Sequence, residues 1–213
     1  MDKSLFYAGI GSRETPNWAF KPIKEIVRIL YHNGYSLRSG GAGGADQMFE
    51  QAFIDIVPQI DNNMEIFLPY SGFEKRWCDE INYFSDVEET NFQGYPLNDH
   101  LFECAKAYHP KWKKLNPGSK KMMARNAQQV LGRTLDNPSK LIVCYTEHGE
   151  TKGGTGQALR MASELSIPVF NLGKYEYAIY LVRGDVNKTI AVQQMIVDNF
   201  KKFLLKNFEG INV

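Results

Sequence analysis

Two apolar patterns alternate along this chain: short continuous runs, and longer stretches with helical spacing. Leu5-Phe6-Tyr7-Ala8-Gly9-Ile10 is a run closed by glycine and serine, and it predicts a buried first strand. Thr15-Pro16 reads as an N-cap followed by a first helical position. Ile23, Ile26, Val27 and Leu30 then recur at helical spacing up to Asn33-Gly34, a stop signal. Tyr35 to Ser39 predicts a second strand, and Met48, Phe49, Ala52, Phe53 and Ile56 predict the helix that follows it. Met64 to Leu68 predicts a third strand, ended by Pro69. Leu141 to Tyr145 is a continuous apolar run, as suits a strand buried on both faces. Ala158, Leu159, Ala162 and Leu165 mark the next helix, and Ile167 to Asn171 a further strand. Met195, Ile196, Phe200, Phe203 and Leu204 share one face of a C-terminal helix over about 190–208.

From Tyr70 to Gly118 the pattern has no clean period. The stretch reads as an insertion with one or two helices, one near Asp99 to Tyr108, and loops able to cover a site. Helical spacing returns over Ser119 to Leu131, with Met122, Met123, Ala127 and Val130. Strands alternating with helices predict one α/β domain over 1–213: Rossmann-like and doubly wound, a mostly parallel sheet with helices on both faces. Right-handed crossovers restrict its topology, and ligands bind such sheets at the carboxyl ends of the strands. Three glycine-bearing loops leave those ends.

A phosphate needs donors nearby and no side chain in the way. Glycine lets the backbone approach, and a helix start offers unpaired N–H groups with the positive end of its dipole. Gly40-Gly41-Ala42-Gly43-Gly44 reads as such a loop before one helix, and Gly153-Gly154-Thr155-Gly156 as such a loop before another. One glycine run alone can be a tight turn; two at one sheet edge favour phosphate binding. Neither is the dinucleotide fingerprint, because the third glycine position falls on Asp46, and no Walker sequence occurs. Gly11-Ser12-Arg13, Arg38-Ser39 and Arg125-Asn126 complete the candidate ligand site, with arginines suited to bidentate phosphate contacts. Asp46 either caps its helix or reaches a ribose hydroxyl.

The net charge of +1 argues against gripping nucleic acid by global charge. It leaves a local basic stretch, Lys111, Lys113, Lys114, Lys120 and Lys121, around Trp112 and beside His109-Pro110. His109 reads as structural, and Trp112 as either a base-stacking platform or a loop anchor. Cys78, Cys104 and Cys144 form no CxxC pair, so a disulfide framework or zinc site is not expected and a cytoplasmic location is. Met1 to Ile10 is too short and polar for a signal peptide. No apolar stretch approaches the roughly 20 residues that span a membrane. No metal or cofactor is expected.

Taken together, Gly11-Ser12-Arg13, the run Ser39 to Asp46, and Gly153 to Gly156 with Pro168-Val169-Phe170 resemble the SLOG superfamily. That Rossmann-like group includes DprA (Smf) proteins and the LOG phosphoribohydrolases. The resemblance covers roughly Leu5 to Gly173. It implies three alternatives: holding a nucleotide-derived ligand intact, hydrolysing the N-glycosidic bond of nucleoside 5′-monophosphates, or binding single-stranded DNA. The hydrolase motif is P-G-G-x-G-T-x-x-E. Here Gln157 stands at the threonine position and Arg160 at the glutamate position, so another acid, Glu147 or Glu150, would have to substitute. Nucleotide binding with catalysis not assured is therefore ranked first, glycosidic hydrolysis second and DNA binding third. The resemblance also implies a homodimer; the apolar face of the C-terminal helix either serves as its interface or closes the core.

Overall fold

The computed structural model describes residues 5–58, 64–76, 83–87 and 99–213. Six strands lie in one sheet among these residues: β1 (Leu5–Gly11), β2 (Tyr35–Ser39), β3 (Glu65–Phe67), β4 (Tyr83–Phe84), β5 (Leu141–Tyr145) and β6 (Val169–Asn171). Their spatial order is β4-β3-β2-β1-β5-β6, and every pair is parallel. The fold is a Rossmann-like α/β sheet, wholly rather than mostly parallel over the described residues. β1 sits in the middle, with Tyr7 opposite Leu37 on one side and Leu141 on the other.

The period-two geometry of a strand divides the core into two faces. Tyr7, Leu37, Ile66, Leu141 and Val143 point to one face. There they meet Ile23, Ile26, Val27 and Leu30 of α1 (Phe20–His32), Phe49 and Phe53 of α2 (Ala45–Ile56), and Phe200 of α7 (Val186–Asn207). Ala8, Ile10, Ile142 and Cys144 point to the other face. They meet Ala127 and Val130 of α4 (Pro117–Leu131), and Ala158, Met161 and Ala162 of α5 (Gly153–Glu164). α3 (Asp99–Ala107) packs outside α4 through Leu101 and Ala105 against Ala124. α6 (Glu176–Val182) leads into α7.

Several details depart from the sequence reading. Thr15 does not cap α1. Its hydroxyl donates to the Ser12 carbonyl (2.6 Å), Pro16 is extended (φ −73°, ψ 150°), and a short 3₁₀ turn over Asn17–Ala19 precedes the helix at Phe20. The glycines of Gly153–Gly156 are the first turn of α5, not a loop ahead of it. β4 lies in the stretch without clear period, and two residues are too few to show one. α6 went unread because it buries only Ile179, while Tyr177, Tyr180 and Leu181 face outward. α7 starts at Val186, where Asp185 accepts from the Lys188 N–H (3.0 Å); its first turn is exposed and carries no apolar stripe. Cys78 falls outside the described residues.

The apolar face of α7 is occupied within the chain. Ile196, Phe200 and Leu204 are fully buried, and the Phe200 ring lies 5.1 Å edge-on to Phe170 of β6. No helix among the described residues is long and apolar enough to cross a membrane. Truncating Phe200 removes an aromatic ring from the centre of this face. Phe200→Ala should cost about 3–5 kcal/mol, read as a lower urea midpoint with an unchanged slope.

Candidate functional site

The strand order reverses at β1: the chain first builds outward through β2, β3 and β4, then returns to lay β5 on the other side. Loops leaving β1 and β5 diverge there and leave a crevice, the usual ligand position in such sheets. A cavity of about 400 Å³ opens at this point. Its walls come from Gly11, Ser12 and Arg13 after β1, Ala42 and Asp46 at α2, and Ser119, Met122, Met123, Arg125, Asn126 and Gln129 of α4. Thr146, Glu147, Glu150 and Lys152 after β5, and Gly153, Gly154 and Thr155 at the start of α5, close it.

One buried ion pair organises the floor. Arg125 Nη1 meets Asp46 Oδ2 at 3.2 Å, with both side chains almost wholly buried. Asp46 Oδ1 accepts from the Gly11 N–H (3.2 Å), which ties the pair to the end of β1. Burial pushes the Asp46 carboxyl up, against the pull of Arg125 and of the Gly11 and Ala42 N–H groups. Assigned so that its oxygen meets donors and its nitrogen an acceptor, the Gln129 amide joins the cluster: its carbonyl accepts from Gly40 N–H (2.9 Å) and Arg125 Nη1 (3.3 Å), and its nitrogen donates to Asn126 Oδ1 (3.1 Å). Gly40 is needed for room: a Cβ there would overlap the Arg125 guanidinium. Arg125 Nε is buried without a hydrogen-bond partner among the described residues.

The two helix starts at this edge differ. At α2 the protein itself supplies acceptors. Ala45 N–H donates to Ser12 O (3.0 Å), and Gln47 N–H to Ala42 O (3.1 Å). Gly44 permits that closure: its φ is +77°, and a side chain there would strike the Ser12 and Arg13 carbonyls. At α5 no side chain caps the helix. The N–H groups of Gly153, Gly154 and Thr155 have no helical acceptor, as in any first turn, and these residues line the cavity. Of the two helix starts, α2 has Ala45 and Gln47 N–H taken by the chain's own carbonyls, while α5 leaves its first-turn N–H groups toward the cavity.

Arg13 is exposed at the rim and makes no ion pair among the described residues. Arg38 is elsewhere. It lies on the α4 face of β2, paired with Glu65, stacked 4.0 Å over the Phe6 ring, and donating to the Asn137 carbonyl beyond the end of α4. Its side chain therefore runs away from the cavity, and burial lowers its pKa. Ser39 is likewise internal, its hydroxyl donating to Gly9 O (2.6 Å). Gly41 packs under Arg76 and Gly156 against the Thr151 backbone, outside the lining. Gly43 also lies outside it, and a Cβ there would meet nothing within 4 Å.

Sequence reasoning missed Ser119, Met122, Met123, Gln129, Thr146 and Lys152. The signal was the stripe Ser119, Met122, Asn126, Gln129 at spacings of three and four, which puts polar side chains on one face of α4. Gln157 and Arg160 face away from the cavity. Gln157 Nε2 donates to Ala105 O (3.1 Å) and Arg160 Nε to Tyr108 O (2.8 Å), so both hold the C-terminal end of α3. Trp112 is half-buried between Phe102 and His109, with Lys120 Nζ 5.8 Å from its ring, and anchors the connection from α3 to α4. Burial lowers the His109 pKa. Cys144 is fully buried, its thiol pushed up to about 12. No cluster of metal-ligating side chains occurs among the described residues.

No family model matches this chain, and no curated protein matches it. Two solved structures are similar. The first is the DNA processing protein A of Helicobacter pylori, described with a single-stranded DNA binding mode. It shows 18% identity and a TM-score of 0.48, over 94% of this chain and 82% of that one. The second is the Moco carrier protein of Chlamydomonas rheinhardtii, with 14% identity and a TM-score of 0.43, over 92% of this chain and 99% of that one. At these scores neither likeness carries a functional argument.

Breaking the floor pair leaves a buried guanidinium without its counter-charge. Asp46→Asn should cost about 3–5 kcal/mol in chemical denaturation. Combined with Arg125→Leu, the loss should fall short of the sum of the two single losses by about 1 kcal/mol or more.

Proposed function

We propose that the cavity at the β1/β5 switch binds a phosphate-bearing, nucleotide-like ligand and holds it intact. The observation that carries this reading is the uncapped first turn of α5 opening into a cavity that also presents Arg13 without an ion pair. Unpaired helix N–H groups and the helix dipole favour an anion there, and a guanidinium adds charge-assisted hydrogen bonds. Arg125, its charge matched by Asp46 on the floor, keeps its Nε–H without a hydrogen-bond partner among the described residues. Met122 and Met123 on the α4 wall offer polarizable apolar surface suited to a flat ring. The order and placement of the three glycine-bearing loops support membership of the SLOG superfamily. Arg160 and Gln157, engaged on α3, support holding over glycosidic hydrolysis.

The test is incubation with a panel of nucleotides, ultrafiltration, and mass spectrometry of the filtrate. Depletion of one intact nucleotide with no free base is the expected result. Free base with ribose 5-phosphate would make the protein a hydrolase, and an unchanged panel would remove the nucleotide reading. Arg13→Ala should weaken the retained ligand by about tenfold to a hundredfold, the worth of a charged hydrogen bond, with unfolding unchanged.

A further inference from the structure

Three carboxylates line the cavity, and they are not equivalent. Asp46 is engaged on both oxygens, by the Gly11 N–H and by Arg125. Glu150 is ion-paired with Lys152, whose ammonium holds the carboxyl below the usual range. Glu147 is exposed on the wall and makes no ion pair among the described residues.

The backbone on both sides of Glu147 is fixed. Thr146 N–H donates to Asn171 Oδ1 (3.2 Å), and Asn171 Nδ2 returns a bond to Thr146 Oγ1 (2.7 Å). Gly173 packs so close to the Thr146 carbonyl that a Cβ would overlap it, and its N–H shares Asn171 Oδ1 (3.0 Å). On the other side His148 is left-handed (φ 52°, ψ 17°), and its N–H donates to Glu176 Oε2 (2.8 Å). That backbone is held in place by the bond to Glu176. Residues after β6 and at the start of α6 thus hold the turn that places Glu147 on the cavity wall.

Lys152 is shared electrostatically with Glu147 but its close ion pair is with Glu150, and a carboxylate opposes a phosphate placed directly against it, so Glu147 suits a different part of the ligand. Its two oxygens accept from several O–H donors at once. In dinucleotide-binding sheets an acidic side chain after the second strand accepts from a ribose hydroxyl; Glu147 stands after β5 instead, with the same acceptor chemistry. Asp46 and Glu150 are already engaged, so that role falls to Glu147. We propose that Glu147 is the specificity-determining acceptor of this site, reading the vicinal hydroxyls of a phosphorylated ribosyl ligand. The proposal rests on the phosphate-ligand reading above. The cavity is then dipolar: Arg13 and the α5 terminus take the anionic end, and Glu147 takes the donor-rich sugar.

The experiment measures retention of the four ribonucleoside 5′-monophosphates, each beside its 2′,3′-dideoxy counterpart, on the full chain. Wild type should favour at least one ribonucleotide over its dideoxy form by about tenfold. Glu147→Gln should bring that ratio close to one while dideoxy binding is kept. Glu150→Gln should leave the ratio as in wild type. Equal binding of both forms by wild type, or a ratio that survives Glu147→Gln, overturns the assignment and leaves the phosphate site standing. A ratio lost in Glu150→Gln but kept in Glu147→Gln overturns it in favour of Glu150. Retention of none of the eight compounds overturns the phosphate-ligand reading and this inference with it.

Discussion

Asp46 and Arg125 meet where α2, α4 and the end of β1 converge, in a place nearly closed to water. Neither charge can be solvated there, so each requires the other, and the geometry around them is tightly constrained. Gly40 must lack a side chain to admit the guanidinium, and Gln129 must turn its carbonyl toward Gly40 N–H. One ion pair thereby sets the distance between the loop after β2 and the α4 wall. Its consequence for binding is preorganisation. The floor of the cavity is held by the protein's own contacts, so association need not order it.

Two glycine-rich segments with similar sequences serve different ends. At α2 the glycines let the chain close on itself: Gly44 brings Ala45 N–H onto the Ser12 carbonyl, and the helix start is satisfied internally. At α5 they are the helix start, and its donors face the cavity. Composition does not distinguish these cases. The distinction depends on whether another loop lies near enough to supply carbonyls, which is a matter of strand order.

This limit explains what was legible in the sequence. Leu141 to Tyr145 and the stripe Ile23, Ile26, Val27, Leu30 were readable because burial is dictated by the sheet face or helix face itself. So were the sheet class and the gathering of the loops after β1, β2 and β5 at one edge. Arg38 was misplaced because its partners, Glu65 and the Asn137 carbonyl, belong to other elements and leave no mark near position 38. The constraint that the structure shows at Gly40 is the Arg125 side chain, far along the chain and invisible from the glycine run itself. The engagement of Gln157 and Arg160 on α3 was hidden in the same way, since α3 belongs to the region without a clear period.

The central position of β1 also governs the order in which the molecule can be made. β1 is synthesised before the other five strands, and β2, next in the chain, can pair with it early. Its second neighbour, β5, ends only at Tyr145, so one edge of the first strand stays open during synthesis of the intervening chain. Long-range parallel pairing of this kind is slow, and an uncovered strand edge is adhesive. Arg125 arrives in the same late interval, so Asp46 is without its counter-charge until then. Until β5 and α4 have been synthesised, the edge of β1 and the Asp46 carboxylate lack the partners they hold in the finished protein.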